Sequence, residues 1–277
     1  MILGYNTNGL AHHDPFQAVE LLADIGYRSV AITLDHGPLN PLDKGFAGQL
    51  AKMRRLLDRL QMRSVVETGA RYLLDPRAKH EPTLVSPDPA AQQRRVDFLS
   101  RAVDAARELA SDCVSLWSGV VHDAADDATV WQRLETGLAQ VLDYADSRQI
   151  PVGFEPEPGM FIDTMARYDD LCRRLGDDCL RLTLDVGHLH CQGEQPLADY
   201  IERYSGHLVN VHIEDMRAGV HEHLMFGEGE IDFGPVMRAL AVARYGGGVH
   251  VELSRHSHVG PQAARRAFDF LSPFMAA

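Results

Sequence analysis

Four short apolar runs in the second half of the chain end in a residue able to bind a cation. Val152-Gly153-Phe154 ends in Glu155, and Arg181-Leu182-Thr183-Leu184 ends in Asp185. Leu208-Val209-Asn210-Val211 ends in His212, and Gly248-Val249-His250-Val251 ends in Glu252. Read as buried strands lying side by side and parallel, they bring two Glu, one Asp and one His to one end of a sheet. Carboxylates gathered out of water are costly without a counter-cation. Three carboxylates and an imidazole suit Mn²⁺, Co²⁺ or Mg²⁺, with Zn²⁺ or Fe²⁺ also compatible. Glu155, Asp185, His212 and Glu252 are therefore the expected ligands of a divalent ion. Taken singly, each would read as a helix cap or turn residue. The argument lies in their succession on consecutive strands. Asn6, His36 and Glu67 end earlier runs in the same way but less consistently.

Neighbouring residues extend the set. Pro156-Glu157-Pro158-Gly159 is a rigid turn that fixes a second carboxylate, Glu157, near the first. Glu157 can orient substrate hydroxyls or brace a ligand; a solvated loop acid is the competing reading. His188 follows Asp185 by three residues. It is expected in the loop beyond the strand, within reach of the same pocket as a substrate contact or second-metal ligand. Arg217 is a candidate clamp for an anionic or hydroxylated substrate. His221 and His223 share a direction if their segment is extended, and together they could take metal or substrate. Gly227-Glu228-Gly229 then lets the chain turn back into a helix.

These residues need a scaffold of parallel strands. Apolar runs at 2–5, 29–34, 64–66, 114–117, 152–155, 181–185, 208–213 and 248–253 alternate with helical patterns at 15–25, 45–60, 90–109, 130–148, 164–175, 196–204, 233–243 and 261–274. Asp14-Pro15 is a cap followed by proline at the first helical position. The strands are apolar throughout rather than alternating, as expected when both faces are covered. Eight such units in 277 residues predict a (β/α)₈ TIM barrel, one domain over residues 1–277 with a loop insertion at about 70–89. An open doubly wound sheet would call for a glycine-rich phosphate loop, and no GxGxxG follows a strand. The insertion carries four X-Pro pairs with Arg71, Arg77, Lys79 and His80. It reads as a phosphate or carboxylate contact, a subunit contact or a stiffened surface excursion.

Hydrophobic residues make up 45% of the chain and the formal net charge is −12. That acidity disfavours nucleic acid and anionic membranes as partners. The four cysteines lack CxxC spacing, which reads as a reduced, cytoplasmic protein. The first residues show no basic, apolar leader pattern. No window approaches the roughly 20 apolar residues of a membrane helix.

Taken in order, Glu155-Pro156, Asp185-Val186-Gly187-His188, His212-Ile213-Glu214-Asp215, Gly227-Glu228-Gly229 and Glu252 carry a resemblance. The chain resembles, over nearly its whole length, the sugar phosphate isomerase/epimerase group of xylose isomerase-like TIM barrels, which also includes the endonuclease IV type. The motifs are specific for the superfamily and weak for any one activity. Similarity to ketose epimerases of the group implies a single Mn²⁺ or Co²⁺ on the four ligands. It also implies that Glu155 and Glu252 are catalytic, moving a proton through a metal-stabilised enediolate. His188 and Arg217 become substrate contacts, Arg217 by a looser match, and Glu157 and His223 complete the expected substrate-binding set. A small carbohydrate is the implied partner, and a homo-oligomer the implied assembly. A hydrolase of the endonuclease IV type or a dehydratase of a keto-inositol is the alternative activity, and a non-catalytic polyol-binding barrel a third reading. Endonuclease IV relatives use three zinc ions, extra histidines on early strands and an Asp-x-His pair. Here His221-Glu222-His223 places His where that Asp would be, and the early strands offer His36, Glu67 and Trp117, so a trinuclear zinc site is not expected.

Overall fold

The computed structural model describes residues 1–176 and 180–275; Cys179, one of the thiols read as reduced, lies outside them. The chain begins with β1 (Ile2–Asn6), a 3₁₀ turn (Thr7–Leu10), α1 (Pro15–Ile25), β2 (Ser29–Thr33), α2 (Phe46–Leu60) and β3 (Arg63–Glu67). It continues through α3 (Pro89–Leu109), β4 (Val114–Leu116), α4 (Asp127–Arg148), β5 (Val152–Phe154), α5 (Met165–Leu175) and β6 (Arg181–Asp185). Then come α6 (Val186–Cys191), α7 (Leu197–Arg203), β7 (Leu208–Ile213), β8 (Asp215–Arg217), β9 (Val220–Leu224) and α8 (Phe233–Val242). The last elements are β10 (Gly248–Val251), a second 3₁₀ turn (Ser257–Val259) and α9 (Gly260–Met275).

Eight of the strands close into a barrel in the order β1-β10-β7-β6-β5-β4-β3-β2, and every neighbouring pair is parallel. This is the TIM barrel expected from the alternating runs. Outward strand residues such as Val30, Ile32, Val66 and Leu182 join helix residues such as Leu22, Leu57, Val103 and Leu138 in the main core. The bore is different. Barrel interiors are usually filled by bulky branched side chains, yet here Ala31, Val65 and Cys113 form a small separate cluster against Val209. Around it Ser29, Ser115, Thr183, Asn210 and His250 are fully buried polar residues. The Thr183 hydroxyl bonds that of Ser115 across the bore at 3.1 Å.

Helix starts follow their caps. Asp14 accepts from Phe16 and Gln17 ahead of α1, and Asp126 accepts from Thr129. The latter cap starts α4 at Asp127, three residues before its apolar stripe begins. Two segments differ from the sequence expectation. His188 lies in α6, not in a loop, because Asp185 ends β6 and caps the next turn by accepting from His188 N at 2.8 Å. Residues 215–224, read as loop, form the antiparallel hairpin β8–β9. It pairs only with itself, and its short, polar strands give no apolar alternation to read.

The insertion at 70–89 is fastened to the barrel. His80 N donates to Arg71 O at 2.5 Å, the His80 ring to Gly69 O at 2.6 Å, and Arg71 pairs with Asp35 at 2.5 Å. Leu84 and Val85 are buried in the main core. Thr83 packs on Gly119, whose φ of +106° suits glycine and whose Cβ position is occupied by the Thr83 side chain. Beneath the insertion, Arg95 is fully buried. Its guanidinium stacks on Trp117 at 4.3 Å and donates to Thr68 O at 3.0 Å. Burial pulls its pKa down to about 9, with Glu81 opposing.

Asp215 organises the hairpin. Its buried carboxylate accepts from the backbone N–H of Met216, Gly227, Gly229 and Ile231 at 2.8–3.1 Å. Replacing it leaves four donors near β8–β9 unpaired at once. Asp215→Ala is expected to cost roughly 3 kcal/mol or more and to open the 218–230 segment to protease; a wild-type urea midpoint and cleavage pattern would contradict this. Gly119→Ala forces a side chain into Thr83 at positive φ. It should lower stability by about 1–3 kcal/mol, and an unchanged thermal midpoint would mean that the insertion yields without cost.

Candidate metal centre and active site

Glu155 follows β5, Asp185 ends β6, His212 lies in β7 and Glu252 follows β10. Backbone bonds fix the two Glu: Glu155 N donates to Leu116 O at 2.8 Å and Glu252 N to Ile213 O at 3.2 Å. One ligand atom from each of the four residues lies within 4.8 Å of the others. His212 Nδ1 is the hub, 2.9 Å from Glu155 Oε1, 2.8 Å from Glu252 Oε2 and 3.9 Å from Asp185 Oδ2. Its other nitrogen, Nε2, lies 3.0 Å from Glu67 Oε1. Asp185 Oδ2 is buried without a hydrogen-bond donor. The donor set is hard-to-borderline and converges on that side of the imidazole, so these four residues fit a divalent ion.

The charges of the site are strongly coupled. Burial raises the Glu155 carboxyl to about 8, against the pull of His212. Burial pushes Glu252 the same way, but His212 beside it wins and holds Glu252 below the usual carboxylate range. Burial works against a charged His212, yet Glu155, Glu67 and Glu252 outweigh it and hold His212 well above its ordinary value. Asp185 is held low because His188 and His212 overcome its burial.

A second group lies beside the first. His188, His221 and His223 place one nitrogen each within 4.8 Å of the others. Ring centroids are 4.8 Å apart for His188 and His221 and 5.3 Å for His221 and His223. The latter two alternate on β9 and face the same way, as an extended segment requires. Burial lowers the pKa of all three, favouring neutral rings. His188 Nε2, His221 Nε2 and His223 Nδ1 have no hydrogen-bond partner. Glu157 faces this group, 3.8 Å from His188 Nε2 and 3.6 Å from His221 Nε2, and burial raises its carboxyl.

A cavity of about 470 Å³ opens over the site. Its acidic floor includes Glu67, Glu155 and Glu252, with His212; Trp117, Val120, Pro158 and Met160 give it an apolar wall; Arg71, Lys79, His80 and Arg255 also line it. Glu157, His221 and His223 reach it as well, whereas Asp185 and His188 do not form its lining. Arg217 is not brought in. It pairs with Glu222 at 2.7 Å on the hairpin, and the arginines at the cavity are Arg71 and Arg255, the latter donating to His221 O at 3.2 Å. His36 is exposed and apart from the ligand cluster.

Two contributors were missed as site residues, Asn8 and Glu214, and a third, Glu67, was noted only as a strand end. Asn8 donates to Glu252 Oε1 at 2.7 Å from the turn after β1. Glu67 braces His212. Glu214 is fully buried beside Asp185, with burial the main cause of its raised carboxyl pKa. Glu214 was legible in principle, two residues beyond His212 and so on the same strand face. Asn8 and Arg255 carried no such periodic signal.

Comparison with known proteins gives consistent relatives. L-ribulose-5-phosphate 3-epimerase UlaE of Salmonella typhi is 25% identical over 216 residues, covering 77% of this chain and 75% of that protein. Inosose dehydratase of Lacticaseibacillus casei is 30% identical over 139 residues, 44% of this chain and 46% of that one. The solved structure of an L-ribulose 3-epimerase superposes with a TM-score of 0.78 at 18% identity, covering 99% of this chain and 94% of that one. The family described as xylose isomerase-like TIM barrel matches residues 19–274. With that match over most of its length and its barrel closed, the chain belongs to that family of xylose isomerase-like TIM barrels.

Proposed function

We propose that the protein is a divalent-metal-dependent isomerase or epimerase of a small sugar or sugar phosphate. The observation that carries this reading is the pair Glu155 and Glu252, both within 3 Å of one imidazole nitrogen, His212 Nδ1, at the floor of a sugar-sized cavity. Kinship with an epimerase covering three quarters of both chains supports it.

Glu155, Asp185, His212 and Glu252 would hold one Mn²⁺, Co²⁺ or Mg²⁺, with Zn²⁺ or Fe²⁺ as chemically compatible substitutes. Bound there, the ion would polarise the substrate carbonyl and stabilise the enediolate charge. One of the two Glu takes the proton from the carbon beside the carbonyl, and the other, or the same one, returns it. Return to the opposite face epimerises; return to the neighbouring carbon isomerises. Asn8, bonded to Glu252, limits how that carboxylate can turn. Glu157, His188 and His223 are the proposed hydroxyl contacts. Arg255 takes the basic role first assigned to Arg217, because it lines the cavity and Arg217 does not.

A second reading is a dehydratase or hydrolase with an additional ion on His188, His221 and His223. Their three unpartnered nitrogens favour it, as does the shorter match to an inosose dehydratase. Metal content separates the two. About one Mn, Co or Mg per chain, lost in Asp185→Ala, is the expected result; two or three Zn per chain would move the assignment to the second reading, and no binding after reconstitution would sink both. For the proton step, Glu155→Gln is expected to cut exchange of the substrate C–H with solvent deuterium by about 100-fold or more. Exchange at the wild-type rate in a folded variant would remove Glu155 from the mechanism.

A further inference from the structure

Four buried polar side chains run through the bore towards His212, where a barrel of this kind would ordinarily pack aliphatic groups. Ser29 Oγ lies 2.9 Å from His250 Nε2. His250 Nδ1 lies 2.7 Å from Asn210 Oδ1. Asn210 Nδ2 donates to Glu67 Oε1 at 3.0 Å, and His212 Nε2 lies 3.0 Å from that same oxygen and 3.1 Å from Asn210 Nδ2. Ser29, Asn210 and His250 are fully buried.

With Glu67 a carboxylate, which only accepts, both nitrogens that meet its Oε1 must donate to it, and the rest of the column follows. An amide oxygen only accepts, so His250 Nδ1 carries the proton and donates to Asn210. In a neutral ring Nε2 is then an acceptor, and the Ser29 hydroxyl donates to it. With Oδ1 engaged by His250, the Asn210 amide must turn Nδ2 towards Glu67. Glu67 Oε1 so receives Asn210 and the His212 Nε2–H together. That bond leaves Nδ1 as the nitrogen of His212 turned to Glu155 and Glu252. Each link decides the orientation of the next, from one end of the barrel to the other.

The room for this column is built into the sequence. Gly4 on β1 and Gly248 on β10 lie against the His250 ring, and a Cβ at either position would strike it. Neither glycine has positive φ, so space rather than backbone freedom is what they supply.

We propose that Ser29, His250 and Asn210 are positioning residues of the metal site, acting through Glu67 to set the tautomer and ring orientation of His212. None of the three touches the cavity. The inference rests on Glu155, Asp185, His212 and Glu252 being the metal ligands.

The test is Mn²⁺ titration of metal-stripped protein by calorimetry, with circular dichroism to verify folding. Asn210→Leu and His250→Leu remove the column's directionality and are expected to weaken Mn²⁺ binding by about 10–100-fold. His250→Gln keeps one donor and one acceptor in similar places and should restore binding to within about threefold of wild type. Folded Leu variants with wild-type affinity would overturn the proposal, as would a Gln variant no better than Leu. If the Leu variants do not fold, Ser29→Ala removes only a hydroxyl. Long-range ¹H–¹⁵N spectra should then show the His250 ring nitrogens moving towards tautomer averaging; unmoved signals would overturn the proposal. Failure of the wild-type protein to bind Mn²⁺, Co²⁺, Mg²⁺ or Zn²⁺ would instead remove the metal reading itself.

Discussion

The structure turns on the cost of holding Glu155, Asp185 and Glu252 together around one imidazole. Two like charges 4 Å apart repel by about 4 kcal/mol at an effective dielectric near 20, and three carboxylates multiply the pairs. The barrel makes the arrangement possible because β5, β6, β7 and β10 are consecutive neighbours in its order, so adjacent strand ends stand about 5 Å apart. Register does the rest. Asp185 pairs with His212, and His212 pairs with His250, two residues before Glu252. Gly153 pairs with Arg181, which puts Glu155 level with Thr183, two residues before Asp185. The steps between ligands are therefore none or two residues. Even steps keep every ligand on the inner face, and a closed barrel's stagger is what requires the steps of two.

That rule explains what the sequence disclosed. Continuous apolar runs ending in an acid or histidine mark a strand buried on both faces whose last side chain meets a cavity, and β5, β6, β7 and β10 all follow it. Asn8 and Arg255 obey no such rule, and Glu67, which ends β3 in the same way, stands apart from the consecutive set. A single polar residue after a strand is indistinguishable from a cap until the loop around it is folded. Arg217 shows the converse: a basic residue after β7 looked available, but the hairpin turns it outward to Glu222. His188 was placed near the right neighbours and in the wrong element, because Asp185 does two jobs. One oxygen caps α6 and the other faces His212, and only the first is a local signal.

The insertion after β3 was open between a contact and an excursion. It is packed into the wall, and Arg71, Lys79 and His80 from it reach the cavity. Arg95 below it spends a buried charge on the face of Trp117 and on Thr68 O, and His80 above it meets the edge of the same indole at a centroid distance of 5.5 Å. Trp117 is thus held by two contacts. The wall gives the cavity an apolar surface, and Glu157, His221 and His223 give it polar atoms. Trp117 and the two histidines come from distant parts of the chain, which is why their meeting is not visible in either segment alone.

A polar bore is a cost that needs an offset. The hydrophobic stabilisation of this fold lies mainly outside the barrel, between strands and helices, where the main cluster of buried apolar residues is found. The bore contributes little to it, since Ala31, Val65 and Cys113 bury small side chains. The interior is consequently free to carry hydrogen-bonded groups, provided each is satisfied; a half-satisfied buried network would be worse than an aliphatic plug. Ser29, His250, Asn210 and Glu67 meet that condition through bonds to one another. Apolar packing fixes shape without fixing which nitrogen of a ring is protonated. Hydrogen bonds with defined donors do fix it. If His212 binds an ion through Nδ1, as proposed, a polar bore gives the site what a conventional one could not.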